Sequence, residues 1–277
     1  MTAVSANERE RSPKKRRFNR GQLCIPYALF LALFVVLPLM LIIYYAFTAR
    51  NGKFTFGNVA WFFQSASMLQ NLGISILIGL ATTVSCLLIG YPVAYILSRL
   101  SEKKRGILML LFIAPMWINF VLRALAMREV LDLLGLLGKY NYLNTVIGMV
   151  YDYLPFMILP LYSTLIKMDR SLEEAAADLG ANRIKVFTSV TLPLSLPGII
   201  SGITMVFMPT MTCYVISDTF SNFKVTIIGK LIEHWFGGGD NWHYGSVIAV
   251  VLLVIMFIST LIEGRFNEDK GARRTTL

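Results

Sequence analysis

Asp152 is the one charged residue between Tyr140 and Ile166, and Tyr151 and Tyr153 flank it. A carboxylate in so apolar a run is costly unless it faces a bundle interior, a partner or water. Aromatic faces attract ammonium groups, so the three residues together offer the chemistry for holding a cation. The plainer alternative is a structural ion pair, for which Arg123 is an available partner, or a carboxylate that snorkels to the surface. Trp117 and Tyr214 stand in other apolar runs, where they either line the same path or pack in a core. Asp218 closes one of those runs, and it lines an entrance, docks a partner or is simply solvated. His234 and His243, with Glu233 and Asp240, match no recognised zinc spacing, so no metal is expected. Cys24, Cys86 and Cys213 lie in apolar runs without a CxxC and read as small buried hydrophobes. No nucleophile–base constellation stands out, and GxxxxGK[ST] is absent. No catalytic residue, no bound cofactor and no ATP site of this chain's own are therefore expected.

The elements that carry these residues follow from composition. Of 277 residues, 56% are hydrophobic and only 15% charged, against about 45–50% and about 25% in soluble domains. Disorder is excluded by the same excess of large apolar residues. Runs free of Asp, Glu, Lys and Arg cover Gly21–Ala49, Phe54–Ser98, Gly106–Leu122, Val186–Ser217 and Asn241–Ile262. With the run around Asp152 they predict an all-α integral membrane protein of six transmembrane helices, near 22–47, 72–98, 106–127, 144–166, 195–217 and 245–263. Trp61–Leu72 alternates aromatic and polar residues and reads as an amphipathic helix on the outer interface, with Trp61 its anchor or a partner's contact.

Placing the N-terminus inside puts nineteen of the 26 Lys and Arg residues on the cytoplasmic side. The remaining seven fall on the opposite side, among them Arg128, Lys139 and Arg123, the last near the outer end of the third span. The bias predicts that both termini are cytoplasmic. The basic run Ser12–Arg20 is then an anchor against anionic membrane lipid rather than a nucleic-acid arm. Residues 1–21 form a basic cytoplasmic tail, 22–263 a six-span domain and 264–277 a second cytoplasmic tail.

One cytoplasmic loop, residues 168–194, is unusually ordered for a free segment. Ser171-Leu-Glu-Glu174 is a capping-box pattern, in which the Ser171 hydroxyl accepts from the Glu174 N–H. Ala175–Ala177 favour helix, and Gly180 ends it where a left-handed residue is wanted. Asn182 caps a second short helix, Arg183–Thr191, which Pro193 and Pro197 stop. Leu172, Ala175, Ala176 and Leu179 share a face that either meets another protein or packs on the bundle.

Glu174-Ala175-Ala176-(3)-Gly180-(9)-Val190-x-Leu192-Pro193 resembles the EAA loop of permease subunits of binding-protein-dependent ABC importers, with Val190 where the family has Ile. The resemblance implies a type I importer permease bundle in a bacterial inner membrane. It implies that Glu174, Ala175, Ala176, Gly180, Val190, Leu192 and Pro193 form the element that docks in an ATPase subunit. It also implies the partners: a second permease, two ATPase copies that hold ATP and Mg²⁺, and an extracytoplasmic binding protein. Gly90-Tyr91-Pro92-Val93-Ala94, Pro115-Met-Trp117, Leu154-Pro-Phe-Met157, Leu159-Pro-Leu-Tyr162-Ser163 and Tyr214-Val-Ile-Ser-Asp218 resemble the permeases of spermidine/putrescine importers. That implies a polyamine cargo, with Asp152, Tyr151, Tyr153, Trp117, Tyr214 and Asp218 along its path. An amino acid, an opine-like compound or a metal–anion complex as cargo, and a secondary transporter, remain open alternatives.

Overall fold

The structure, a computed structural model, describes residues 24–238 and 241–274; the N-terminal basic tail and Asp240 lie outside them, as do the C-terminal tail's side chains beyond Gly264. The described residues are helical apart from turns and one isolated antiparallel bridge between Thr48 and Phe54. The first long helix is α1, Pro26–Ala46, interrupted by a π turn at Ala32–Val36. Gly57–Gln64 is the short α2, and Ala66–Arg99 the 34-residue α3. Glu102–Ile113 is α4, Phe120–Leu133 α5 and Asn141–Leu165 α6. Ser171–Asp178 is α7 and Arg183–Val186 α8, which runs through a π turn at Phe187–Thr191 into α9, Leu192–Thr212. Tyr214–Ser221, Ile228–Gly237 and Trp242–Arg274 are α10, α11 and α12. Among the described residues five helices are long and apolar enough to cross a membrane, and six if the bent Glu102–Trp117 and Phe120–Leu133 pair is one span.

The centre of the bundle is α3, α6 and α9 packed on one another. Cys86, Tyr91, Ala94, Met157, Ile158, Leu161, Ile199 and Val206 form its buried core. Close approach depends on missing side chains. A Cβ on Gly198 would run into Thr164 and the Pro160 carbonyl, and one on Gly202 into Met157. Small residues at such crossings let apolar helices gain van der Waals contact where lipid is as apolar as the core. Outer faces stay apolar, with Phe34, Leu77, Leu88, Ile107 and Leu111 exposed, as lipid contact requires. Trp61 is stacked 3.9 Å from the Tyr244 ring and meets Trp235 edge-on, so it ties α2 to α11 and α12.

Several expected elements differ. The third span is broken: its two halves meet at 99°. Ala114–Trp117 tightens into a 3₁₀ turn at Pro115, Ile118 is extended, and Asn119 caps α5 by accepting from the Val121 N–H at 2.8 Å. A proline that removes a ladder bond, followed by a strong N-cap, starts a new helix instead of continuing the old. The fifth span ends at Thr212 and not near 217, because Cys213 leaves helical geometry before α10 begins. Pro193 and Pro197 do not stop the helix after Asn182. It passes through the π turn, where the Leu192 N–H donates to the Phe187 carbonyl, and continues as α9. Pro193 falls in the first α turn after that shift, where a missing N–H is tolerated.

Candidate functional site

The two helix breaks face one cavity. Trp117, Ile118, Asn119, Phe120 and Arg123 line it from the broken third span, Asp152, Tyr153 and Phe156 from α6, and Cys213 and Ile216 from the break between α9 and α10. Its volume is about 440 Å³. Irregular backbone at membrane depth is tolerated where it lines such a space. Arg123 Nη2 lies 2.7 Å from Asp152 Oδ1, and the side chains are 8% and 3% exposed. Arg123, the partner available for a structural ion pair, therefore does pair with Asp152 inside the bundle. Among the described residues neither Asp152 oxygen nor Arg123 Nε has a well-formed hydrogen bond. The pair is held by charge with donor and acceptor capacity to spare.

The expected path residues thus divide. Asp152, Tyr153 and Trp117 share the cavity, whereas Tyr151 is not among the residues that line it. Tyr214 and Asp218 form a second cluster around Lys230, which the sequence reading did not single out. Lys230 Nζ is 3.1 Å from Asp218 Oδ2, 3.2 Å from Glu233 Oε2 and 4.9 Å from the Tyr214 ring centre. Hydrogen bonds to Asp218 and Glu233 hold the Lys230 ammonium above its usual pKa. Both acidic positions picked from the sequence are therefore already paired with a cation of the same chain. His243 Nδ1 lies 2.9 Å from the Tyr45 carbonyl oxygen, away from any metal-like set among the described residues.

At the other end of α6 the loop 168–194 stands off the bundle. Its helix closes with a Schellman motif: the Ala181 N–H donates to the Ala176 carbonyl at 3.1 Å and the Gly180 N–H to Ala177 at 2.9 Å. Gly180 takes the left-handed conformation this requires, φ +84°. Asn182 caps α8, accepting from the Lys185 N–H at 2.8 Å. The capping box does not form. Ser171 is already helical, and its N–H donates to Asp169 Oδ1 at 3.0 Å. That bond holds the Asp169 carboxyl below its usual pKa.

Leu172, Ala175 and Leu179 are exposed, Ala176 is half-buried, and Leu179 reaches 89% exposure. The apolar face is thus turned outward rather than packed on the bundle. What attaches the loop is Glu173, one residue before the motif. Arg99 Nη2 at the end of α3 donates to both of its oxygens, and Thr191 Oγ1 in the π turn donates to Oε1 at 2.7 Å. Burial pushes the Glu173 carboxyl up, but hydrogen bonds from Arg99 and Thr191 and the charges of Arg99 and Arg170 outweigh it and hold it below its usual pKa. Arg170 Nη2 adds a bond to the Ser98 carbonyl at 3.1 Å. From there Phe187 meets Tyr91 and Tyr95 edge-on, and the Tyr91 hydroxyl lies 2.9 Å from Ser195 Oγ. Val190 and Leu192 are half-buried in this junction and Pro193 is exposed. A salt bridge between residues 74 apart in sequence leaves no local signal, which is why Glu173 and Arg99 escaped the sequence reading.

A multi-span helical bundle with an open cavity between two broken helices and a capped helix tethered at one end is the architecture of a membrane permease. Residues 86–268 match the family described as binding-protein-dependent transport system inner membrane component. The chain is 36% identical over 262 residues to the spermidine/putrescine transport system permease protein PotB of Haemophilus influenzae, covering 86% of this chain and 90% of that protein. It is 32% identical over 255 residues to PotB of Escherichia coli, covering 85% and 93%. A bacterial alginate ABC transporter, crystallised with an alginate pentasaccharide-bound periplasmic protein, contains a chain of the same fold. The TM-score is 0.69 at 14% identity, over 88% of this chain and 91% of that one. The chain belongs to the family of binding-protein-dependent transport system inner membrane components.

Proposed function

We propose that this chain is the permease subunit of an ATP-driven importer of polyamines, with its loop 168–194 in the cytoplasm and both termini on that side. The observation that carries the reading is α7. A helix closed by its own Schellman turn presents an apolar face to solvent, yet is tied by Glu173 to the ends of two membrane helices. Such an element suits a moving partner and not a static loop. The relatives named as spermidine/putrescine permeases support the cargo, as does a buried carboxylate beside aromatic rings.

In this mechanism a loaded binding protein docks on the outer side. ATP, held with Mg²⁺ by two partner ATPase copies, drives their closure under the membrane. The helix bearing Glu174, Ala175, Ala176 and Gly180 sits on the ATPase, and Glu173 passes its displacement to Arg99 and Thr191. The bundle, paired with a second permease, then exposes the cavity at Asp152, Tyr153 and Trp117 outward, and hydrolysis resets it inward. Tyr214 and Asp218 stand nearer the entrance. This chain itself makes and breaks no covalent bond.

The test is reconstitution of the full importer in liposomes with labelled spermidine. Uptake that requires ATP, the binding protein and this chain is expected. Uptake that persists without the ATPase and collapses with the proton gradient would overturn the reading.

A further inference from the structure

We propose that Arg123 is a resident counter-ion that competes with the cargo's ammonium group for Asp152, and so sets how readily cargo leaves the bundle. The inference rests on the cationic cargo proposed above. Its basis is the geometry of the pair. The Asp152 carboxylate is 3% exposed, lines the cavity and touches Arg123 Nη2 at 2.7 Å, yet neither of its oxygens is saturated by hydrogen bonds among the described residues. Arg123 Nε is likewise unpartnered. A buried ion pair repays its desolvation only when further hydrogen bonds satisfy the remaining lone pairs and protons. This pair keeps capacity for another ligand.

Its surroundings suit that ligand. Trp117, Phe120, Tyr153 and Phe156 present aromatic rings around the same space, which attract an ammonium and accept an apolar stem. The two partners also belong to elements able to part. Asp152 sits mid-way along the continuous α6. Arg123 lies one turn into α5, directly after the extended Ile118–Asn119 break. A turn of α5 about that break would withdraw the guanidinium, with Ala124 and Leu131 sliding over Met149 of α6.

The carboxylate is then neutralised in both states, and the displaced guanidinium and the cargo's other ammonium groups rely on water at the cavity mouth. Without cargo, Arg123 neutralises the carboxylate. With cargo, the ammonium does so and Arg123 swings toward the cavity mouth. When the bundle resets, Arg123 retakes Asp152 and expels the cargo. A tethered competitor lowers apparent affinity by the fraction of time it occupies the site.

The experiment uses the purified complex of both permeases and the ATPases, without binding protein, and equilibrium binding of labelled spermidine. If Arg123 holds Asp152 nine-tenths of the time, Arg123→Gln tightens spermidine binding about tenfold, and uptake slows because release does. Asp152→Asn weakens binding, and the Asp152→Asn/Arg123→Gln double variant binds no more tightly than Asp152→Asn alone. Unchanged or weaker binding in Arg123→Gln, or wild-type binding in the double variant, would overturn the proposal.

Because Arg123→Gln leaves a lone buried carboxylate and can fail to assemble, the wild-type complex supplies a second measurement. Spermidine should raise the rate at which phenylglyoxal modifies Arg123, read by peptide mass spectrometry, several-fold. No change, or protection, would overturn the counter-ion role. A wild-type complex that neither binds nor transports spermidine would overturn the cargo reading and this inference with it.

Discussion

At the scale of single residues, the proposed function rests on charges paired across the fold. Glu173 is the clearest case. Its carboxylate gathers Arg99 from α3 and Thr191 from the π turn, with Arg170 nearby. Hydrogen bonds to charged groups are worth about 1.5–3 kcal/mol each, so Glu173→Gln should loosen the loop without unfolding the spans. Spermidine uptake by the reconstituted importer is expected to fall about tenfold or more while ATP hydrolysis continues, and equal losses in both would count against a coupling role. The sign of the pH dependence follows from the lowered pKa. The tie is complete above the unfolded-state value of about 4.5 and is lost as pH falls through the lower folded value. Protease nicking of the 168–194 loop should therefore stay constant from pH 8 to about pH 5 and rise only in stronger acid. Asp152 makes a different case. Its partner Arg123 lies 29 positions earlier, and only folding shows that the two share one cavity.

At the scale of elements, the helix Ser171–Asp178 depends on how it ends. Gly180 holds φ +84°, and nothing lies within 4 Å of an added Cβ. A side chain there is therefore penalised by the backbone and not by a neighbour. A β-branched residue forced into that conformation costs about 1–3 kcal/mol. Gly180→Val should abolish uptake with the thermal midpoint of the purified bundle unchanged, whereas Gly180→Asn, which tolerates the left-handed region, should keep much of the activity. Full uptake in Gly180→Val would remove the turn from the mechanism. Asn182→Ala should cost about 1 kcal/mol at the start of α8, seen as faster amide exchange over residues 183–187. The broken third span shows the same logic inside the membrane: Pro115 releases one ladder and Asn119 starts the next, so the chain bends beside the cavity.

At the scale of the whole molecule, the bundle presents two unlike ends, and its orientation is a measurable expectation. Single cysteines placed at the exposed Leu179 or Thr188 should react with a membrane-impermeant maleimide only after the inner face is opened. Labelling from outside the intact cell would reverse the proposed topology and detach the loop from any ATPase. Much of this architecture was legible in the residues alone. Apolar runs of about twenty residues have one stable home, a lipid-crossing helix, because backbone groups must be satisfied within the segment. Glycine and asparagine at 180 and 182 announce their turns through local sterics and local hydrogen bonds. The spans, the loop and its left-handed end are local properties, and periodicity and residue type determined them. Which helices break, and what those breaks surround, are not local. Pro115 kinks its span while Pro155, Pro160 and Pro197 are carried inside continuous helices. What sets Pro115 apart is the extended Ile118 and the Asn119 cap that follow it. The pairing of Lys230 with Asp218 and of Arg99 with Glu173 was likewise decided only in three dimensions, and Arg123 was one alternative for Asp152 until the fold chose it, because a buried charge takes the partner that tertiary contact brings within reach.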